Sequence, residues 1–426
     1  MKKKRMLFVL MAAAAFASCK KEAQKTAAPA SFEAARSTNA LTCAPATFAS
    51  IAGTYNTFFT RGNTTTDQWT GADATYSIPL GGGKILWMFG DTFVGKVNPP
   101  DVTHPTRWRP SSSMNPNTFM IQNTSVTPNT WITVVGMGVD PVSWMWWPPA
   151  KTGSEYLSGT SRTWYWPGDA TISGNNLYIY FTKFQNISGG GYSTVGTDLF
   201  TFSVSGLTAL TATVSNIPAT KTTVFTMPLA ATKETMFGTA LMEDGSNNYV
   251  YISDKIDYSP YGFWHTAKAY KVASSNINGT KSYFTGYGAA PTYTPVYGSS
   301  SFSGSGSTTG IMKKLVGTTL SDLLVSPQFS VVKIGSRYRL ITQEDAGKKI
   351  FSYEAASPVG PWECETLIHT ISDPNTNVTY NAFLHPEVKN GATQYLLSYN
   401  LNGNAFADVY NNVDTYRPKF IWVNIP

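Results

Sequence analysis

The feature that most constrains this chain is a hairpin layout that recurs five times. In the first copy, Tyr76 to Leu80 and Lys84 to Phe89 flank Gly81-Gly82-Gly83. Two short apolar runs about a glycine turn predict a β-hairpin. The second copy runs from Trp166-Pro167-Gly168-Asp169 to Ile172, turns at Gly174 to Asn176 and returns over Leu177 to Phe181. The third covers 237–242 and 249–254, the fourth 326–332 and 337–341, and the fifth 384–388 and 394–399. A lone hairpin cannot bury both faces, so repeats of this kind stack radially. The copies begin near 73, 169, 239, 328 and 385, spacings that fit four-stranded blades with long loops. Helical signals are nearly absent. The expected fold is all-β, a five-bladed β-propeller formed as one domain by residues 45–426.

In a propeller the inner strands of all blades begin at one end of the central axis. Residues just before each first strand and just after each second strand therefore gather around one mouth. Those residues are Asp73 and Asp91 in copy one, Asp169 and Lys183 in copy two, and Gly238 or Thr239 with Asp254 in copy three. Copy four offers Gln328 with Gln343 and Glu344; copy five offers His385, Glu387, Tyr399 and Asn400. Carboxylates thus converge from several blades.

Centring the first hairpin on Gly82 sets Asp73 opposite Asp91. Facing residues hold their Cβ atoms roughly 4.5–5.5 Å apart, and two aspartates so placed repel, which raises the pKa of at least one. Acid/base cleavage of a glycosidic bond needs one protonated and one ionised carboxyl, and mutual repulsion is a way to split them. Asp169 repeats the Asp73 position one blade on, where it could tune a neighbour or hold a sugar hydroxyl. These three are the candidate catalytic residues. The plainer reading of each is a turn or strand-end carboxylate satisfied by backbone N–H groups.

Candidate substrate-binding residues surround them. Arg109 and Asn117 lie in the loop 98–125, which should overhang the same mouth, although surface salt pairing would also explain the arginine. Trp166 belongs to the cluster Trp164-Tyr165-Trp166, which with Trp144-Met145-Trp146-Trp147 is unusually aromatic. Flat aromatic faces suit sugar rings, and packing between blades is the alternative use. Lys183, Gln343, His385 and Glu387 complete the set, His385 having a structural reading of at least equal weight. The four histidines show no metal-ligand spacing, and there is no Cys-x-x-Cys, phosphate loop or Gly-x-Ser-x-Gly. No cofactor or metal is expected, and phosphoryl transfer, redox chemistry and serine hydrolysis drop out.

The first residues bear on location. Lys2 to Arg5, the apolar run Met6 to Phe16 and Ala17-Ser18-Cys19 follow the layout of a signal peptide. Its cysteine resembles the bacterial lipoprotein pattern. Residues 1–18 are expected to be removed, Cys19 to carry the lipid, and 19–44 to form a flexible tether. The protein would then be exported and anchored to the outer membrane. Residues 1–36 hold eight Lys or Arg and two Glu, which accounts for nearly all of the net +7. The remainder is almost neutral, so the charge gives no reason to expect nucleic acid as a partner. An exported compartment permits a disulfide between Cys43 and Cys364. The oligomeric state is not legible.

The Asp73 hairpin resembles the blade-opening strand of five-bladed furanosidases such as glycoside hydrolase family 43. That resemblance implies a general base at Asp73 and a pKa-modulating Asp at Asp169. Its third element, a Glu general acid from blade three, has no match, because Gly238-Thr239-Ala240 stands there. Gly90-Asp91-Thr92-Phe93, Trp166-Pro167-Gly168-Asp169 and the stretch Asn381 to Glu387 are more similar to propellers catalogued as domains of unknown function, types 4185 and 5005. These are common in Bacteroidetes lipoproteins, and part of the group became glycoside hydrolase family 183, endo-acting on D-arabinan.

The expectation is a lipid-anchored glycoside hydrolase cutting a furanose-containing, arabinan-like polysaccharide, with a polysaccharide or oligosaccharide as its partner. Asp73 and Asp91 would share the acid/base or nucleophile roles, assisted by Asp169 or Glu387, and both retention and inversion stay open. A non-catalytic glycan-binding surface lipoprotein is the second reading, and a protein-binding propeller the third. A sialidase is disfavoured by the lack of a Ser-x-Asp-x-Gly-x-Thr-Trp repeat.

Overall fold

The computed structural model describes residues 41–60, 68–134, 163–255 and 265–426, apart from short internal stretches at 111, 127–129, 188–191, 213, 215–216, 230–233, 291, 300–301, 303–306, 344–347, 374–377 and 406. The expected signal peptide, Cys19 and nearly all of the tether lie outside the described residues, as do Trp144 to Trp147 and Glu344. All five predicted hairpins are present. They are β1 (Tyr76–Gly81) with β2 (Lys84–Phe89), β3 (Thr163–Ser173) with β4 (Asn176–Asn186), β5 (Thr235–Asp244) with β6 (Asn247–Lys255), β7 (Ser330–Ile334) with β8 (Arg337–Gln343), and β9 (Val378–Asn390) with β10 (Gln394–Asn402).

Each hairpin grows outward into an antiparallel sheet of at least four strands. The fifth sheet is completed by both ends of the described chain, with Thr47–Ile51 pairing on Pro418–Asn424 and the latter on β10. The first strands of the five sheets touch in sequence: β1 meets β3, β3 meets β5, β5 meets β7, β7 meets β9, and β9 returns to β1. The chain is nearly all β. A bond between Cys43 and Cys364 ties the start of the described chain to the outermost strand of the fourth sheet, Glu363–Thr370.

The first hairpin has the register centred on Gly82: Tyr76 pairs with Met88, Ser77 with Trp87 and Ile78 with Leu86. Gly81, Gly82 and Gly83 all have left-handed φ, between 58 and 83°, a conformation that costs glycine nothing. Residues 85–89 of β2 are buried without a break. Leu86 and Met88 pack toward Ile179, Phe181 and Phe200 of the second sheet, while Trp87 and Phe89 pack toward Leu396 and Phe420 of the fifth. A strand covered on both faces reads as a continuous apolar run. Truncating Trp87 to alanine would cost about 3–5 kcal/mol.

Three of the first strands are irregular. The pairing shifts at Gly168-Asp169 in β3, at Gly238-Thr239 in β5 and at Asn381-Ala382 in β9. Such bulges re-aim side chains and break the two-residue alternation. Gly168 is needed here for space, because a Cβ would stand 2.4 Å from the Gly238 carbonyl oxygen of the next sheet.

Candidate active site

Asp73 and Asp91 sit where the first hairpin runs on beyond its regular strands. The Asp73 N–H donates to the Asp91 carbonyl at 3.2 Å, and the Gly90 N–H donates to the Asp73 carbonyl at 2.9 Å. One step further out, Ala72 pairs with Thr92. The two aspartates therefore face each other in the register that begins at Gly82. Both side chains are partly exposed. Even so, the surrounding protein makes loss of hydration the largest influence on Asp73, and the charge of Asp91 the second. Together they hold its pKa well above the ordinary carboxyl range. The Tyr416 hydroxyl, donating to Asp73 Oδ2 at 3.0 Å, and two backbone N–H groups pull the other way and are outweighed.

Asp91 has a different neighbour. The Trp166 indole N–H donates to its Oδ1 at 2.9 Å. Trp166 is half-buried and belongs to an aromatic wall on the second sheet, with ring centroids 4.3 Å from Phe184 and 5.3 Å from Tyr192. Tyr192 is 37% exposed, and its phenol is destabilised as an anion by burial and then by Glu234, Asp91 and Asp73. Tyr380 is raised by burial and by the same two aspartates.

Four residues of the site escape sequence reasoning: Tyr192, Glu234, Tyr380 and Tyr416. Glu234 immediately precedes β5, which is the mouth position of the third sheet, four residues ahead of Gly238. The rule that mouth residues precede first strands would have found it, had the start of β5 been placed correctly. Tyr416 arrives from a short turn far along the chain, Val413–Thr415 being a single 3-10 turn, and no local pattern marks it.

Asp169 is half-buried and does what its plainer reading says. Its Oδ1 accepts from the Ala170 N–H at 2.8 Å and its Oδ2 from the Leu241 N–H at 2.7 Å, which clamps the second sheet to the third. Burial nevertheless pushes its pKa up to about 7, with a smaller contribution from Glu387. Glu387 accepts from the Ser77 hydroxyl and is raised by burial. Lys183 is half-buried with its ammonium 5.9 Å from the Tyr165 ring centroid.

Four expected ligand contacts are used inside the fold instead. Arg109 is 1% exposed and donates to Thr70, Val409, Val413 and Tyr416, burial pulling its pKa down to about 9. It holds the segment that carries Tyr416. Asn117 donates to the Tyr165 carbonyl at 2.8 Å and Gln343 to the Thr379 hydroxyl at 2.7 Å, both buried. His385 is buried between the hydroxyls of Ser77 and Ser398, at 2.6 and 2.9 Å, with its pKa down at about 3. It stays neutral and structural. Residue type marks these side chains as polar but does not say which way a strand turns them.

The arrangement offers two facing carboxyls, one of them held well above the ordinary carboxyl range, beside an aromatic cluster whose Trp166 and Tyr192 reach solvent. Among the described residues, no group of three His, Cys, Asp or Glu could hold a metal ion, and no helix is long and apolar enough to cross a membrane.

Among solved structures, a presumed hydrolase from Bacteroides ovatus is similar over 88% of this chain and 89% of its own, at 20% identity and a TM-score of 0.64. That likeness speaks to the fold. An α-L-arabinanase mutant from Cellvibrio cellulosa covers 85% of this chain and 92% of its own at 11% identity, with a TM-score of 0.44. An exo-1,5-α-L-arabinanase from a bovine ruminal metagenomic library covers 84% and 93% at 12% identity, with a TM-score of 0.41. Scores of that size bear no argument. No curated protein matches. The family described as a domain of unknown function, DUF5005, matches residues 53–424, nearly the whole described chain, and the protein belongs to that family.

Proposed function

We propose that this protein is a glycoside hydrolase whose paired carboxyls, Asp73 and Asp91, cleave a furanose-containing, arabinan-like polysaccharide. The observation that carries the reading is the facing pair itself. Two partly exposed aspartates joined by the 3.2 Å backbone hydrogen bond stand face to face, and one is held far from its ordinary protonation range by burial and by the other. Glycosidic cleavage uses such a pair. Trp166 and Tyr192, backed by the buried Phe184, supply flat faces for sugar rings next to it.

The rest of the reading follows the same architecture. The five sheets, with first strands in contact around a closed circuit, form a five-bladed propeller as one domain, and the carboxyl pair stands at its mouth. Residues 1–18 act as a lipoprotein signal peptide, Cys19 carries the lipid, and the enzyme works at the outer membrane on a chain of sugars.

The test is incubation of the mature protein with arabinans and other plant and bacterial polysaccharides, alongside Asp73→Asn and Asp91→Asn. Product from the wild type and from neither variant supports the hydrolase. Binding without turnover in all three would instead make it a glycan-binding lipoprotein, for which the aromatic wall alone suffices.

A further inference from the structure

The two carboxyls differ in what holds them. An indole N–H can only donate, so it favours an acceptor that is ionised, and hydrogen bonds to a charged partner are roughly twice as strong as neutral ones. Asp91 receives one from Trp166 at 2.9 Å. A phenol hydroxyl both donates and accepts, so the Tyr416 hydroxyl, 3.0 Å from Asp73 Oδ2, serves a protonated carboxyl as well as an ionised one. Tyr416 is itself fixed. Its carbonyl oxygen accepts from Arg109 at 3.4 Å and would stand 2.0 Å from a Cβ on Gly71, and its ring lies edge-on to Phe93 at 5.3 Å.

We propose that Trp166 and Tyr416 are positioning residues of the pair, Trp166 keeping Asp91 as the carboxylate and so leaving Asp73 as the proton donor, and Tyr416 fixing the direction in which the Asp73 carboxyl points. This rests on the hydrolase reading of the same site. The acid step balances simply: the Asp73 proton goes to the glycosidic oxygen as its bond to the anomeric carbon breaks, the bonding pair stays on that oxygen, and the leaving sugar departs as an alcohol. Water, the co-substrate of hydrolysis, supplies the hydroxyl that replaces it, and its remaining proton restores the one Asp73 gave up, directly or by way of the Asp91 carboxylate. Among the described residues, Asp91, Tyr416, Tyr380 and Tyr192 are the titratable groups around Asp73, and Glu234, paired with Lys255 at 3.8 Å, acts on Tyr192 together with both aspartates. Burial and the charge on Asp91 act on Asp73 in the sense the assignment needs.

The experiment needs no substrate. In protein carrying 13Cγ-labelled aspartate, the Asp73 and Asp91 carboxyl signals are assigned with Asp73→Asn and Asp91→Asn and followed by NMR as a function of pH. Asp73 is expected to titrate at the higher pH. Trp166→Phe should move the Asp91 transition upward, and Tyr416→Phe should move the Asp73 transition upward, because each variant loses a donor. Asp91 titrating above Asp73, or Trp166→Phe leaving Asp91 where it was, overturns the assignment. Where turnover is found, the acid limb of the kcat/KM profile should follow Trp166→Phe and the alkaline limb Tyr416→Phe. A normal NMR result with no turnover on any glycan would instead count against the hydrolase reading and leave the division of the pair standing.

Discussion

A Cβ placed on Gly90 would lie 2.4 Å from Asp73 Oδ1. The glycine leaves the floor on which that carboxyl rests, one residue before the Asp91 that faces it. The obstructing atom is the end of a side chain, and the Gly90 backbone lies outside the left-handed region. Gly90→Ala should therefore fold, with unfolding free energy within about 1 kcal/mol of wild type. Its carboxyl has to swing aside, and displacement of a catalytic group by ~1 Å costs on the order of 10²-fold in rate. Denaturant titration and a turnover assay check both halves; a fully active variant would show that the placement of Asp73 is immaterial.

Asp169 offers a pH test whose sign is fixed. Its carboxyl pKa is about 7 in the fold against an ordinary 3.8. The folded protein thus holds a proton in this interval that the unfolded chain has released. The stability owed to that proton is complete below about pH 4 and is lost as the pH rises through 7. Wild type should lose more stability between pH 5 and pH 8 than Asp169→Asn does. Unfolding midpoints at the two pH values decide it, and parallel changes in both proteins would refute it.

Arg109→Lys should be disruptive despite the retained charge. A single ammonium cannot span Thr70, Val409, Val413 and Tyr416, which the guanidinium reaches together. Losing one or two hydrogen bonds from a charged group costs about 2–3 kcal/mol. Because the same contacts hold the Tyr416 segment, turnover should fall further than stability explains. Urea unfolding at matched pH, read with activity at a temperature where the variant stays folded, separates the two effects.

The Cys43–Cys364 bond spans 321 residues of sequence. Closing so long a loop restricts the unfolded chain heavily, and the chain-entropy account puts its contribution near the upper end of about 2–5 kcal/mol. Cys43→Ser with Cys364→Ser should lower the melting temperature by several degrees while leaving turnover per folded molecule unchanged. Calorimetry of oxidised, reduced and doubly substituted protein tests this, and an unaltered melting temperature would refute it.

Much of the fold is legible in the amino-acid sequence because glycine turns fix hairpin registers. Gly81 to Gly83 demand a turn that few other residues tolerate, and from there the pairing of Asp73 with Asp91 follows by counting. Legibility ends at the bulges. At Gly168-Asp169, Gly238-Thr239 and Asn381-Ala382 the alternation of faces breaks, so parity no longer says whether a polar side chain turns inward. Arg109, Asn117, Gln343 and His385 are expected at the mouth by residue type and position, yet lie buried. Tyr416 lies 343 residues from the Asp73 it touches, and nothing local in the sequence brings the two together.

The closing strand of the fifth sheet has a mechanical consequence. Thr47–Ile51 pairs antiparallel with Pro418–Asn424, so tension arriving from the N-terminal side would load that ladder in shear. Cys43 stands four residues upstream of the strand and is bonded to the fourth sheet. Force transmitted along the chain from residues before 43 therefore passes through the sulfur bridge into a neighbouring sheet, and the Thr47–Ile51 strand is left slack. Reduction would reroute the load into the Thr47–Ile51 ladder, whose hydrogen bonds would then share it in shear.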